Sequence, residues 1–263
     1  MIIDGYFRVP PTWVTGGHGV QKFGENPDID SGGVGDVWDG GGVYAWPAAA
    51  TAMTISSSSA DDADGGTGAQ DVTIHIQDIN NVESLINLAL NGQTPVDLPV
   101  DPFRVYRAWV GEMGAHASGA NVGDIWIGSG TVTAGVPATK YAGIRAGEGQ
   151  TLMAIYTIPS YVIDEDGDLM QVARARILRW GTTAGSSKTA FCTSRLQTRA
   201  TPTSAWRTRD KIGVGEGVSP EGKSLAFGTV LSPGADIRIN ISENTDNDTT
   251  VQGGFDIYLE KTP

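Results

Sequence analysis

The amino-acid sequence predicts an all-β protein with a β-sandwich or jelly-roll-like architecture. The first observation is the alternation of apolar and polar residues, as in VTIHIQ at 72–77 and RVYRAWV at 104–110. A period of two places one strand face on a core and the other in water. The second observation is the content of 36 glycines and 13 prolines, which suits many turns between short strands. No good helical pattern separates the strands, so we expect two sandwich layers or domains.

Residues 1–47 differ from the rest of the chain. They are rich in glycine and carry aromatic residues without a sustained period. A disordered linker is usually poor in aromatic residues. We therefore predict an extended N-terminal arm that orders against a partner through Trp38, Tyr44 and Trp46. The alternative is an extension that packs on its own sandwich.

Residues 48–149 are predicted to form a first β-sandwich domain. Its clearest part begins with the alternating run at 72–77. A second run follows at 84–90, then an Asn-Gly turn at 91–92, a proline-rich bend and the run at 104–110. Asn-Gly suits the positive φ angles of a tight turn. We expect these runs to form a β-meander, in which consecutive strands are neighbours.

Residues 150–263 are predicted to form a second β-sandwich domain. Its expected strands lie at 151–158, 169–180, 190–199, 204–212, 226–231, 236–242 and 255–260. The sequence leaves open whether the two halves are separate sandwiches or one continuous double layer.

Composition bounds the partners of this chain. The formal net charge is −12, which opposes nonspecific binding of the whole surface to nucleic acid. No apolar run approaches the roughly 18 residues of a membrane helix, and the N-terminus lacks the pattern of a signal peptide. The single Cys192 favours folding in a reducing cytoplasm. We expect neither a nucleic acid nor a membrane partner.

Candidate catalytic and metal-binding residues give no coherent site. His18, His75 and His116 lack the spacing of zinc ligands, and one cysteine does not complete such a site. The acidic turn at 164–168 lacks the glycine and glutamate positions of an EF-hand loop. We predict a protein that is not an enzyme, with no catalytic residues, no metal and no cofactor. A glycan hydrolase is the disfavoured alternative, because no catalytic constellation stands out in the sequence. It stays open because the fold, and not the spacing in the sequence, sets the geometry of an acid pair.

One basic segment stands out. Between residues 169 and 211 lie nine of the 18 Lys and Arg residues, and the only acid is Asp210. Like charges on neighbouring strands are unfavourable without an anion. We therefore predict an anionic-partner face that meets an acidic surface of another subunit or an acidic polysaccharide. The alternative is pairing with acidic loops of the same chain. The predicted face consists of Arg174, Arg176, Arg195, Arg199, Arg207, Arg209 and Lys211.

Five segments spread along the chain have distinctive sequences: HGVQKFGENPDID, VWDGGGVYAWP, GTGAQDVTIHIQD, FRVYRAWV and GGFDIYLEK. They resemble, in order, segments of structural proteins of tailed bacteriophages, notably marine ones. The resemblance runs from about His18 to Lys261. It implies a virion component, and it transfers no catalytic residue to this chain.

These observations predict a non-enzymatic phage virion protein that decorates or cements the capsid as a symmetric oligomer. A trimer is the expected form, because capsid lattices offer local threefold sites. Its expected partners are copies of itself and the major capsid protein or other virion proteins. Folding would occur in the host cytoplasm and the final location would be the virion. The alternatives are a tail, adaptor or fibre-associated component, and a glycan-binding module for acidic host polysaccharide.

Overall fold

The all-β prediction is confirmed. The computed structural model describes residues 17–116, 119–163, 168–185, 190–215 and 221–262. These ranges contain 17 β-strands and no helix, and hence no helix long and apolar enough to cross a membrane. The first 16 residues of the predicted arm and nearly all of the predicted acidic turn lie outside the described ranges.

The strands are numbered along the chain. The first two are β1 (Gly17–Ile29) and β2 (Gly35–Asp36). The next seven are β3 (Thr54–Ser57), β4 (Asp71–Gln77), β5 (Glu83–Ala89), β6 (Val96–Asp97), β7 (Arg104–Val110), β8 (Ile125–Thr133) and β9 (Val136–Ile144). The last eight are β10 (Ile155–Thr157), β11 (Tyr161–Ile163), β12 (Leu169–Gly185), β13 (Phe191–Arg199), β14 (Arg207–Gly215), β15 (Glu221–Leu231), β16 (Asp236–Asn244) and β17 (Thr249–Lys261).

The chain divides into two compact units. The inserted unit is Tyr44–Met153, and the discontinuous unit comprises the described residues before Tyr44 and after Met153. The structure therefore corrects the predicted arm. Residues 17–43 belong to the same unit as the C-terminal strands, because β1 pairs along its length with β17.

The reason that the sequence hides β1 is visible in its burial. The residues that it turns inward include Val20, Lys22, Gly24 and Asn26. Only one of these is a large apolar residue, so the strand lacks the alternating apolar signal that marks a half-buried strand. Its partner is more than 200 residues away in the sequence.

The discontinuous unit has two five-stranded antiparallel sheets. Sheet I has the order β1-β17-β12-β11, with β15 also pairing with β12. Sheet II has the order β10-β16-β13-β14, with β2 also pairing with β16. The two sheets face each other, since a Cβ atom placed on Gly253 of sheet I would lie 3.1 Å from the Ile239 side chain of sheet II. The unit is a sandwich.

The chain crosses between these sheets repeatedly. It passes from β12 in sheet I to β13 and β14 in sheet II, then alternates through β15, β16 and β17. Such crossing is typical of a jelly-roll-like sandwich. The core between the sheets takes the apolar positions of the alternating strands, among them Ile237, Ile239, Ile241, Ile257 and Leu259, all at most 1 % exposed.

The inserted unit also has two antiparallel sheets. Sheet III has the order β6-β3-β8-β9, and sheet IV has the order β5-β4-β7. The predicted meander is wrong in one respect, because β7 pairs with β4 and not with β5. Between β5 and β7 the chain forms β6, which pairs with β3 in sheet III. The chain thus leaves sheet IV and returns on the other side of β4.

Candidate partner-binding surface

The aromatic residues predicted to anchor a partner are used within the chain. Trp38 and Tyr44 are only 4 % and 3 % exposed. The Trp38 indole donates a hydrogen bond to the Gly42 carbonyl. Trp46 lies edge-on to Tyr44, and the Arg104 guanidinium lies 5.3 Å from the centre of the Trp46 ring. The structure therefore corrects the role of Trp38 and Tyr44, which are buried within their own units. Trp46 is half-buried and packs against Tyr44 and Arg104 of the inserted unit.

The predicted anionic-partner face is divided between two sheets. Arg174 and Arg176 lie on β12 in sheet I, and the other five members lie on β13 and β14 in sheet II. The prediction of one shared face is wrong, because β12 pairs with β17, β15 and β11 and never with β13 or β14. Sequence parity shows which residues of one strand share a face, but it does not show which strands are neighbours.

The arginines of sheet I are paired within the chain. Arg174 and Arg176 both form ion pairs with Glu260 of β17, and Arg179 pairs with Asp256. Burial raises the pKa of the Glu260 carboxyl, but hydrogen bonds from the two arginines outweigh it and hold that pKa below its usual range. These residues pair within the chain, as the alternative interpretation has it, but their partners lie on strand β17 and not in the acidic loops.

A second group of arginines is buried in ion pairs on sheet II. The Arg199 guanidinium donates a hydrogen bond to Asp236, 2.7 Å away, and Arg238 donates to Asp36 over 3.0 Å. Both carboxylates are fully buried. Burial lowers the pKa of Arg238, with Asp36 opposing this change.

Trp206 joins these two ion pairs. The guanidinium carbon of Arg199 lies 4.6 Å from the centre of the Trp206 ring, and that of Arg238 lies 4.1 Å from it. Cations are attracted to the face of an indole ring, so one side chain holds both arginines on sheet II. The sequence analysis missed this cluster, because Asp36 and Arg238 are 202 residues apart in the sequence.

Four members of the predicted anionic-partner face remain. We call the surface that they form the cationic edge, and it consists of Arg195, Arg207, Arg209 and Lys211. β14 carries three of them and is the last strand of sheet II. Arg195 of β13 lies directly opposite Lys211 in the register. All three side chains on β14 are exposed. Arg209 donates a hydrogen bond to the Thr198 hydroxyl, and no carboxylate of the described residues pairs with any of the four.

The acid beside this edge is already engaged. Asp210 accepts hydrogen bonds from the Trp180 indole at 3.1 Å and from the Lys223 ammonium at 3.0 Å. Burial raises the pKa of Asp210, but these bonds and one from the Lys211 amide outweigh it and lower that pKa below the usual value. Asp210 thus serves Trp180 and Lys223 and leaves the cationic edge without an acid.

Within the described ranges, one group of three potential metal ligands has its ligand atoms close together. We call it the acidic triad: Asp28, Asp30 and Asp248, whose nearest oxygens lie within 4.8 Å of one another. All three side chains are exposed, and no cation of the described residues pairs with them. Exposed carboxylates are by themselves a weak metal site, since Ca²⁺ takes six to eight oxygen ligands.

The other reactive residue types have structural roles. His75 Nε2 lies 3.1 Å from the Glu83 carboxylate, and its ring packs edge-on to Tyr106. Burial raises the pKa of the Cys192 thiol to about 11, which disfavours the nucleophilic thiolate.

Asp62 lies in the loop between β3 and β4 and is fully buried. Its carboxylate accepts hydrogen bonds from the Ser57 hydroxyl and from three backbone amides, those of Ala69, Val122 and Gly123. Four donors leave such a carboxylate well satisfied without a metal. It therefore ties together the loops of the inserted unit.

The fold and this surface define an all-β protein with an uncompensated cationic edge. No protein-family model and no curated protein matches the sequence. A structure of the infectious bursal disease virus Gx strain is 10 % identical over 98 % of this chain and 75 % of its own chain, with a TM-score of 0.26. The VP2 subviral particle of infectious bursal disease virus is 11 % identical over 98 % and 75 %, with a TM-score of 0.23. An oxalate decarboxylase is 9 % identical over 95 % and 74 %, with a TM-score of 0.14. Similarities at these TM-scores carry no argument about function.

Proposed function

We propose that this protein is a non-enzymatic structural component of a phage virion, which decorates or cements the capsid as a symmetric oligomer. One observation carries the proposal: four of the five segments that resemble phage structural proteins form paired strands, two in each unit. The fifth, VWDGGGVYAWP, lies outside the strands. HGVQKFGENPDID and GGFDIYLEK supply β1 and β17, which pair with each other. GTGAQDVTIHIQD and FRVYRAWV supply β4 and β7, which also pair. The resemblance therefore follows the framework of the fold.

The non-enzymatic part of the proposal is supported by how the reactive side chains are used. Among the described residues, His75 is held by Glu83 and Asp62 by four donors. Cys192 is buried with its pKa raised to about 11. A nucleophile, base and oxyanion donors that converge on one cleft would be the mark of an active site.

Immunogold electron microscopy of purified phage with an antibody to this chain tests the location. Gold particles over the whole head are the result expected for a decorating or cementing protein. The same antibody after adsorption with purified protein is the control and should give no label. Label confined to the tail or to one vertex would contradict capsid decoration and favour the tail, adaptor or fibre alternative. Absence of the chain from purified particles by mass spectrometry would contradict a virion role altogether.

A second candidate function rests on the cationic edge. Because Arg195, Arg207 and Lys211 pair with no carboxylate of the described residues, and Asp210 beside them is bound by Trp180 and Lys223, the protein would bind an acidic host polysaccharide there. Binding of dextran sulfate that weakens as salt rises is the expected result, and R207S/R209S should reduce it at least ~10-fold. The matched control is R174S/R176S, which removes two arginines that already form ion pairs with Glu260. Equal loss in both variants would contradict a specific site.

A further inference from the structure

We infer that the cationic edge of one copy binds the acidic triad of a second copy, so that the protein associates head to tail. This inference deepens the oligomeric part of the proposed function. It rests on that part and not on the location in a virion. The two surfaces belong to the same discontinuous unit, they carry opposite charge, and the described residues of one chain neutralise neither.

The cationic edge is electrostatically unfavourable when no carboxylate binds to it. Arg195 and Lys211 face each other across the β13–β14 pair, and like charges directly opposite in a sheet are destabilising. The Nε atom of Arg195 is buried and has no hydrogen-bond partner. Arginine elsewhere in this unit is compensated, as Arg174, Arg176 and Arg179 show. The cationic edge is thus the place in sheet II where a carboxylate from outside would gain most.

The acidic triad concentrates negative charge in the same way, and it also lacks a partner of opposite charge among the described residues. Asp28 lies near the end of β1, Asp30 directly follows that strand, and Asp248 directly precedes β17. The three carboxylates have oxygens within 4.8 Å of one another, so a positive charge placed beside them is attracted by all three. Guanidinium groups suit this purpose, because they present several donors in a planar fork that matches a carboxylate.

The partner is a second copy of this chain. A chain with a net charge of −12 repels its own copies unless they meet through a basic surface. The cationic edge is such a surface, and the acidic triad supplies its complement on every copy. Because the two surfaces differ, the contact is heterologous, and such contacts close into rings when the rotation allows. A closed ring is the symmetric assembly that the proposed function requires.

Sedimentation velocity of the purified full chain tests this inference. The wild type should sediment as an oligomer that dissociates as salt rises, since exposed charges are screened. R207E/K211E should weaken association by at least ~100-fold, because like-charge juxtaposition costs several kcal/mol. D28K/D30K should do the same from the other side of the contact. Combining all four substitutions sets two glutamates on the edge against two lysines at the triad, and this variant should associate more tightly than either double variant.

Controls separate this contact from general effects of charge. E112K/E148K reverses the charge of two exposed glutamates of the inserted unit. This variant should leave the oligomer unchanged. Near-ultraviolet circular dichroism of each variant reports whether the fold is kept. The salt titration uses the wild type alone, so misfolding of a variant does not affect it.

Several results would overturn the inference. They are a wild type that sediments as a monomer, single-sided reversals that leave the oligomer intact, and a folded quadruple variant that associates no more tightly than either double variant. A monomer that binds dextran sulfate through Arg207 and Lys211 would also overturn it, in favour of the polysaccharide. Dissociation by EDTA alone would assign the acidic triad to a metal ion instead. Head label by immunogold with a monomeric protein would refute this contact and leave the virion role standing.

Discussion

The basic residues of sheet II fall into two groups, which differ in how deeply they are buried and in their partners. Arg199 and Arg238 are largely buried, each has a fully buried aspartate, and both stack on Trp206. Arg207 and Lys211 lie on the last strand of the same sheet. Both are exposed, and neither pairs with a carboxylate in the part of the chain that the structure describes. The comparison shows that one cluster of basic residues in the sequence serves two purposes. The buried pairs hold the unit together, and the exposed cations are free for a partner.

The largest effect is expected from Asp236→Asn, which tests whether the buried ion pairs stabilise the unit. This change leaves Arg199 buried without its counter-charge, and breaking a buried ion pair costs about 3–5 kcal/mol. We expect the free energy of unfolding, measured by urea titration, to fall by about 3 kcal/mol or more. Asp256→Asn is the matched control. Its partner Arg179 is mostly exposed, so a loss of at most ~1 kcal/mol is expected. Equal losses in both variants would contradict the difference in depth.

A smaller effect is expected from Trp206→Leu. Leucine keeps an apolar side chain but removes the ring on which both guanidinium groups lie. Cation–π contacts contribute about 0.5–2 kcal/mol each, so we expect a loss of about 2 kcal/mol in the free energy of unfolding. In the W206L/D236N double variant the losses should not add, because both changes act on Arg199. Strict additivity in this double-mutant cycle would contradict the description of one cluster.

A pH-dependent effect is expected from Glu260→Gln. Hydrogen bonds from Arg176 and Arg174 outweigh burial and lower the pKa of Glu260 in the folded protein. The resulting stabilisation is present above the unfolded pKa of about 4.3, and it is lost as the pH falls through the lower folded pKa. The variant should therefore be less stable at pH 7 by at most ~1 kcal/mol. Urea titrations should show this difference shrinking towards zero in acid. A difference that grows in acid would contradict the lowered pKa.

The smallest effect, and one of opposite sign, is expected from Lys211→Gln. This change removes the like charge opposite Arg195 and breaks no ion pair of the described residues. In dilute protein, where copies do not associate, the free energy of unfolding should rise by a few tenths of a kcal/mol or stay unchanged. A loss above ~1 kcal/mol would show that Lys211 has a structural partner, and it would remove the distinction between the two groups of cations.

Interactions near in sequence were predictable, and those distant in sequence were not. The alternation of Val72, Ile74 and Ile76 with polar residues marks β4, because a single strand defines its own two faces. The register of β7 against β4 was not predictable. It depends on a connection that leaves sheet IV to form β6. The same limit applies to the cationic residues, since their numbers and parity are in the sequence but their division between sheets I and II is not.

By itself, the sequence determined the fold class, the main alternating strands, the concentration of arginine between residues 169 and 211 and the lack of a disulfide. These are properties of local patterning and composition, which act within one strand or over the whole chain. Only the tertiary structure decided that β1 lies beside β17, that Trp38 and Tyr44 fill their own units and that Asp36 and Asp236 neutralise two arginines. Each of these depends on antiparallel pairing between strands far apart in sequence. Such pairing is selected by the packing of the whole sandwich and not by any one strand.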